Sequence, residues 1–340
     1  GLVFNDPLKL YANGSGGEIY FGTALTAESL TVFGSGHTST YTANQTFSTG
    51  LTLNDSLKVQ GNISISTTSG DLVFGRSGYP YYIAGSVSAS NTTDTLTLTA
   101  GNLGDVVFIS KIVGADSLEP NTEYLAGLTI NADDVTFQDE VIIDGNLIIH
   151  ATGNVIFSKG VTLKSGGSLT VDGARQIDFQ AFSSLTLEGG GSLLLEADEI
   201  QLPFSSGSIS GTGLVTLRPK TMTQTIALGS PQGVSDTSTI LSLTATELAS
   251  LSSTFSEIVI GHRTVDGSGN WHATSAAANQ VIVGGANTSS PTDPLFYSNV
   301  SIYGDSITVS DYSNLSYTMS LSEGKLLKLD AEADITIVNE

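Results

Sequence analysis

Residues 141–202 read VIIDGNLIIHATGNVIFSKGVTLKSGGSLTVDGARQIDFQAFSSLTLEGGGSLLLEADEIQL. Short apolar phrases recur through this stretch: VII at 141–143, LII at 147–149, VIF at 155–157, VTL at 161–163, LTV at 169–171, IDF at 177–179, LTL at 185–187, LLL at 193–195 and IQL at 200–202. Counting three phrases onward advances the chain by 20 residues (141 to 161), 22 (147 to 169; 155 to 177), 24 (161 to 185; 169 to 193) or 23 (177 to 200). A period of that size is the signature of a solenoid in which each turn holds three short strands. The spacing predicts an all-β chain, a parallel β-helix (β-solenoid) of about 22 residues per coil.

The corners support coils over hairpins. Asp144-Gly145, Gly153, Gly160, Gly166-Gly167, Gly173 and Gly189 to Gly191 separate the phrases, and glycine supplies positive φ where a path must bend. In Val161-Thr162-Leu163 and Ile177-Asp178-Phe179 the flanks are apolar and the middle is polar, so one face is buried and the other wet. A β-sandwich is the alternative for many short strands, but its turn signals come about every 8–12 residues.

The organisation changes along the chain. Residues 1–228 form one solenoid region, irregular to 128 and regular thereafter; 229–340 continue it with an inserted helix and loops. Pro219, Pro231 and the polar run Ser230 to Ser238 mark the break. LSLTATELASL at 241–251 carries Thr244 and, three residues on, Glu247, a capping box that predicts one short helix near 245–252. Strand phrases start at Leu2 to Phe4 and run to Ile335 to Val338. Uncapped coils expose apolar surface and unpaired edges, so the expectation is a segment of a longer rod or copies stacked end to end.

Composition narrows the partners. A net charge of −21, with only 12 Lys+Arg, opposes binding to phosphate backbones and to anionic lipid. No run of apolar residues is long enough to suggest membrane insertion, and the 39% hydrophobic content is enough for a core. With no cysteine, stacking alone must hold the fold.

Few residues suggest chemistry. Asp133-Asp134 is the only adjacent Asp pair, and paired carboxylates are what glycoside hydrolysis needs; adjacent strand residues, however, point to opposite faces. His262 and His272 flank a loop with Asp266, a grouping that zinc accepts. Asp266, Ser268 and Asn270 alternate like the opening of a calcium loop, making Asp266 and Asn270 the calcium candidates, although Trp271 and Ala277 stand where such a loop has glycine and glutamate. Tyr79, Tyr81, Tyr82 and the single tryptophan, Trp271, lie in inserts and are candidate glycan contacts. Asn-x-Ser/Thr triplets make Asn13, Asn44, Asn54, Asn62, Asn91, Asn287, Asn299 and Asn314 candidate glycosylation sites.

The phrases GGSLTVDGARQIDF at 166–179 and SSLTLEGGGSLLLEADEIQL at 183–202 resemble the repeats of filamentous haemagglutinin-like bacterial exoproteins. LSLTATELASL at 241–251 with FSEIVIGH at 255–262 resembles modules of very large surface adhesins of that kind. The resemblance covers roughly residues 130 to 285 and implies a right-handed β-helix at the cell surface or outside the cell, with adhesive or structural work.

The functional expectation is a secreted structural rod without catalysis or cofactor. It would self-associate head to tail in an extracellular fibre, sheath or surface layer, or form the stalk of a large adhesin. The alternative is a glycan-binding adhesin module. A polysaccharide lyase or glycoside hydrolase ranks last, because the clustered acids of such sites do not appear.

Overall fold

The computed structural model describes residues 1–54, 56–76, 85–101, 103–114, 123–181, 183–229, 239–274, 279–284, 295–311 and 320–339. These residues are almost all strand, and the strands of the main sheet pair in parallel. The chain divides into two compact units, Gly1–Thr170 and Val171–Glu340.

In the first unit the strands form three columns, each paired in register. One column aligns Leu2, Leu25, Gln45, Ile65, Leu98, Ile130 and Ile149. The next aligns Leu8, Leu30, Leu51, Leu72, Val106, Val135 and Val155. The last aligns Ile19, Ser39, Leu57, Val87, Ile112, Val141 and Val161. Followed along the sequence, the chain visits them in strict rotation. Bonds between successive layers span 20 residues where corners are short, as from the Leu25 N–H to Gln45 Oε1, and 34 where they are long, as from the Asp105 N–H to Asp71 Oδ1.

Some strands are longer than their phrases. Leu8–Phe21 and Leu25–Tyr41 run through the glycine corners, pairing with a register shift between Asn13 and Gly17. Gly34 permits this because its φ is +120° and a Cβ there would lie 1.9 Å from the Ala12 carbonyl oxygen.

In the second unit one column aligns Leu193, Val215, Ile258, Val300 and Leu327. Another contains a departure from rotation. Strand Thr225–Leu228 pairs on one side with Gln280–Gly284 and on the other with Ile240–Leu243, the very next strand in sequence. Ile240–Leu243 in turn packs beside Leu193–Gln201. The later strand therefore sits beneath the earlier one, and most of the connection between them, 230–238, lies outside the described residues.

The expected helix is present but shorter, Ala245–Leu248. Its capping box forms: Thr244 Oγ1 accepts from the Glu247 N–H (3.2 Å) and Glu247 Oε2 accepts from the Thr244 N–H (2.9 Å). Helix geometry stops because Leu251 is taken up in a parallel bridge to Ile209. Glu247 is itself buried, and its other oxygen accepts the Leu202 N–H at 3.2 Å.

Alternation decides burial, since three-residue strands such as Val135–Phe137 and Val161–Leu163 bury their outer pair and half-expose the middle residue. Register then stacks like on like. Phe74, Phe108, Phe137 and Phe157 form a buried file with ring centroids 5.0, 5.1 and 5.2 Å apart. That spacing follows the distance of about 4.8 Å between paired strands. Phe108→Ala removes a ring stacked on both faces, and we expect a loss of about 3–5 kcal/mol in chemical denaturation, against much less than 1 kcal/mol for Thr136→Ser on the outward face of the neighbouring strand.

Candidate functional site

The most elaborate polar cluster among the described residues is built on an antiparallel hairpin, Arg263–Val265 with Trp271–Ala273. Its turn is closed by Asp266, whose Oδ1 accepts the N–H groups of Ser268 and Asn270, both at 2.8 Å, while its own N–H donates to the Asn270 carbonyl at 2.9 Å. Aspartate favours such turns because its side chain bonds the backbone a few residues on. These bonds, the Asn270 amide first, hold the Asp266 carboxyl below the usual carboxylate range.

The hairpin lies against outward-facing residues of strands Glu257–Ile260 and Asn299–Asp311. Ala273 packs on Val259 and Tyr303, both fully buried, with Leu214 at the margin. Strand Leu327–Asn339 fastens it. Asp330 accepts the Ala273 N–H at 2.9 Å, and Lys328 Nζ donates to the Trp271 carbonyl at 2.6 Å. Lys328 also sits 3.1 Å from Asp330 and 4.9 Å from the Tyr303 ring centre. Partial burial alone would raise the Asp330 carboxyl, but the Ala273 amide and Lys328 outweigh it and hold the group below its ordinary range.

His272 stands between two carboxylates, with Nε2 3.2 Å from Asp266 Oδ2 and Nδ1 3.5 Å from Asp330 Oδ2. The Arg263 guanidinium lies 4.0 Å from the centre of the Trp271 ring, which is 44% exposed. His262, the other histidine of the zinc grouping, is buried and turned to the Pro219 carbonyl at 2.7 Å. Since a carbonyl only accepts, Nε2 carries the proton, and burial lowers the ring's affinity for a second one. Among the described residues no group of three or more His, Cys, Asp or Glu is placed to hold a metal ion.

Asp133 and Asp134 fall in a different arrangement, a corner of the first unit where carboxylates stack layer on layer. The Asp105 N–H donates to Asp71 Oδ1 (3.0 Å), the Asp134 N–H to Asp105 Oδ1 (3.2 Å) and the Asn154 N–H to Asp134 Oδ1 (2.5 Å). Asp133 accepts the Thr152 hydroxyl. The pair thus belongs to a structural ladder whose members are 34, 29 and 20 residues apart, a spacing too uneven to show in the sequence.

Of the candidate glycosylation sites, Asn44, Asn54 and Asn91 lie at corners, and Asn13, Asn62 and Asn299 in strands. Asn44 and Asn62 accept, through Oδ1, from the Ser64 N–H and the Thr95 hydroxyl; Asn91 donates to Asp94; Asn299 joins the Ser256 carbonyl to the Leu326 N–H. Asn13 lies in strand Leu8–Phe21, and Asn54 is half-buried beside strand Gln45–Leu53. Tyr79, Tyr81, Tyr82, Asn287 and Asn314 lie outside the described residues.

Comparison with protein-family models, with curated proteins and with solved structures finds no match.

The ladder yields a prediction. Desolvation above all raises the Asp105 carboxyl above its ordinary value; the Asp134 amide pulls it back, and the charges of Asp71, Asp134 and Asp133 add to the rise. A carboxyl raised in the fold stabilises it when protonated, and that contribution is lost as pH climbs through the raised value. Asp105→Asn keeps the acceptor and removes the charge. It should stabilise the protein at neutral pH by about a few tenths of a kcal/mol after solvent screening, with the gain fading on acidification through the carboxylate range in thermal melts.

Proposed function

We propose that the chain is a parallel β-helix acting as a structural scaffold outside the cell, assembling end to end in a fibre, sheath or surface layer or forming the stalk of a large filamentous haemagglutinin-like adhesin, without catalysis. The rotation of the chain through three parallel columns in the first unit supports the β-helical reading, since each layer contacts only its neighbours and an outermost layer is left with open edges.

The observation that carries the assembly reading is the apolar character of those edges. Leu2–Val3 and Leu8–Phe21 pair with Leu25–Tyr41, and Leu2, Val3, Phe4, Tyr11 and Tyr20 are exposed. Leu327–Asn339 pairs with Asn299–Asp311, and Ile335 and Ile337, the latter 76% exposed, have no layer over them among the described residues. Exposed parallel edges with apolar side chains template further strands. Sedimentation across a concentration series, with electron microscopy of the same samples, should show linear assemblies that Ile337→Lys suppresses while leaving the circular dichroism unchanged. Strictly monomeric protein at all concentrations would overturn end-to-end assembly.

A second reading, a glycan-binding module, is favoured by one feature: the Trp271 ring lies against the Arg263 guanidinium, with its backbone carbonyl fixed by Lys328, yet remains open to solvent. Aromatic platforms of this kind stack on pyranose faces. Trp271 is the only tryptophan, so its fluorescence reads binding directly. Quenching by a panel of neutral oligosaccharides, absent for an acidic polymer of equal size, supports this reading, and an unchanged spectrum across the panel counts against it.

A further inference from the structure

An apolar interior admits a side-chain amide where its polar ends are bonded. Gln45 meets that condition in the first unit, accepting the Leu25 N–H through Oε1 and donating to the Ala43 carbonyl through Nε2. Two amides of the second unit do not. Asn279 is fully buried, and among the described residues neither its Oδ1 nor its Nδ2 has a hydrogen-bond partner; Gln224, also buried, leaves Oε1 without one. Orphaned amide groups of this kind are rare, because the hydrogen bonds given up to solvent are not replaced.

Register sets the two amides side by side. Ile226 pairs with Val281 and Leu228 with Val283, and two residues back that alignment brings Gln224 beside Asn279 at the start of neighbouring strands. Each is buried, is followed by a more exposed residue, Thr225 or Gln280, and shares the inward side with the buried Ile226 or Val281. The Gln224 amide has a fixed orientation. Its Nε2 donates to the Asp198 carbonyl at 2.7 Å, and a carbonyl only accepts, so the nitrogen is the end that faces Asp198. Asp198 belongs to Leu193–Gln201, on the opposite side of Thr225–Leu228 from Gln280–Gly284. Oε1 is therefore the end left for Asn279.

Equal amides one layer apart bond directly into ladders. Glutamine is longer than asparagine by one methylene, about 1.5 Å, so these two groups are out of step. We propose that Asn279 and Gln224 bind one internal water between their layers, which accepts from Asn279 Nδ2 and donates to Gln224 Oε1. The ligand must take a proton at one end and give one at the other, which a metal cation cannot do and water can. The span fits as well: two hydrogen bonds of about 2.9 Å meeting at a water reach a little under about 5 Å, and paired strands lie about 4.8 Å apart. Two polar partners are enough to hold a buried water. That leaves Asn279 Oδ1, and an unmatched acceptor is less costly than an unmatched N–H, as it is for backbone groups.

The water would tie the start of Thr225–Leu228, the strand out of sequence order, to the start of Gln280–Gly284. There the Asn279 carbonyl already accepts the Asp305 N–H at 2.8 Å, which links the site to the following layer. The inference concerns the interior of one unit and is independent of the scaffold reading.

Water-selective NMR on the whole protein tests the site. In the wild type the side-chain amide protons of Asn279 should show cross-peaks to water with opposite signs in laboratory-frame and rotating-frame spectra, the mark of a water held for longer than the protein takes to tumble. Magnetic relaxation dispersion of the water oxygen should lose the contribution of one long-lived water in Asn279→Leu, whose larger apolar side chain takes the water's place, while the Ile258 and Ile302 amides keep their hydrogen-exchange protection. Wild-type Asn279 amide protons without a water cross-peak, or an unchanged dispersion amplitude in Asn279→Leu, would each overturn the site. The wild-type spectrum decides by itself should the variant fail to fold.

Discussion

The structure depends on one interaction, the parallel backbone ladder that sets each strand in register on the strand one layer away. Register places Leu128 beside Leu96 and Leu147, and Val135 beside Val106 and Val155, so many side chains are repeated against their own kind. For an aromatic this is favourable, since rings about 5 Å apart and near-parallel bury one another's faces, and the file from Phe74 to Phe157 results. For a carboxylate it is costly. Asp71, Asp105 and Asp134 tolerate it because each of the three oxygens named accepts a backbone N–H from the next layer. One buried exception to the apolar rule is similarly bonded: Gln45 takes a leucine's place in its column by accepting the Leu25 N–H and donating to the Ala43 carbonyl.

Because layers touch only their neighbours, insertions at corners leave the columns undisturbed. The hairpin 263–273 is one such insertion, entering between Glu257–Ile260 and Gln280–Gly284 without disturbing the pairing of either. Its chemistry comes from long-range placement: Asp330 reaches Ala273 across 57 residues. The columns thus supply fixed positions, and the inserted segment supplies exposed polar and aromatic side chains, a division common to proteins whose binding loops ride on rigid frames.

How much of this could be read from the sequence follows from the same physics. The strand phrases were legible because alternation and period are local properties of 3 to 24 residues, and the Thr244–Glu247 cap was legible because it is local too. The end of the helix at Leu248 was not, since a tertiary bridge to Ile209 claims Leu251. The swapped order of Thr225–Leu228 and Ile240–Leu243 left no trace, because both carry the same apolar phrase and either fits either layer. The acidic ladder was hidden by corner lengths that vary, so Asp133-Asp134 looked like an isolated pair when it is the end of a stack. His272 and Asp266 appeared as loop residues; their partner Asp330 lies in a strand whose pattern gave no reason to single it out.

The out-of-order strand bears on how the second unit comes apart under load. A simple coil can be peeled from its carboxy-terminal side one layer at a time, each strand leaving when it is outermost. Here the peeling stops at Ile240–Leu243, which is next to leave along the chain while Thr225–Leu228 still lies over it. It must be drawn out from between two neighbouring strands at once, and that one crossing acts as a mechanical stop.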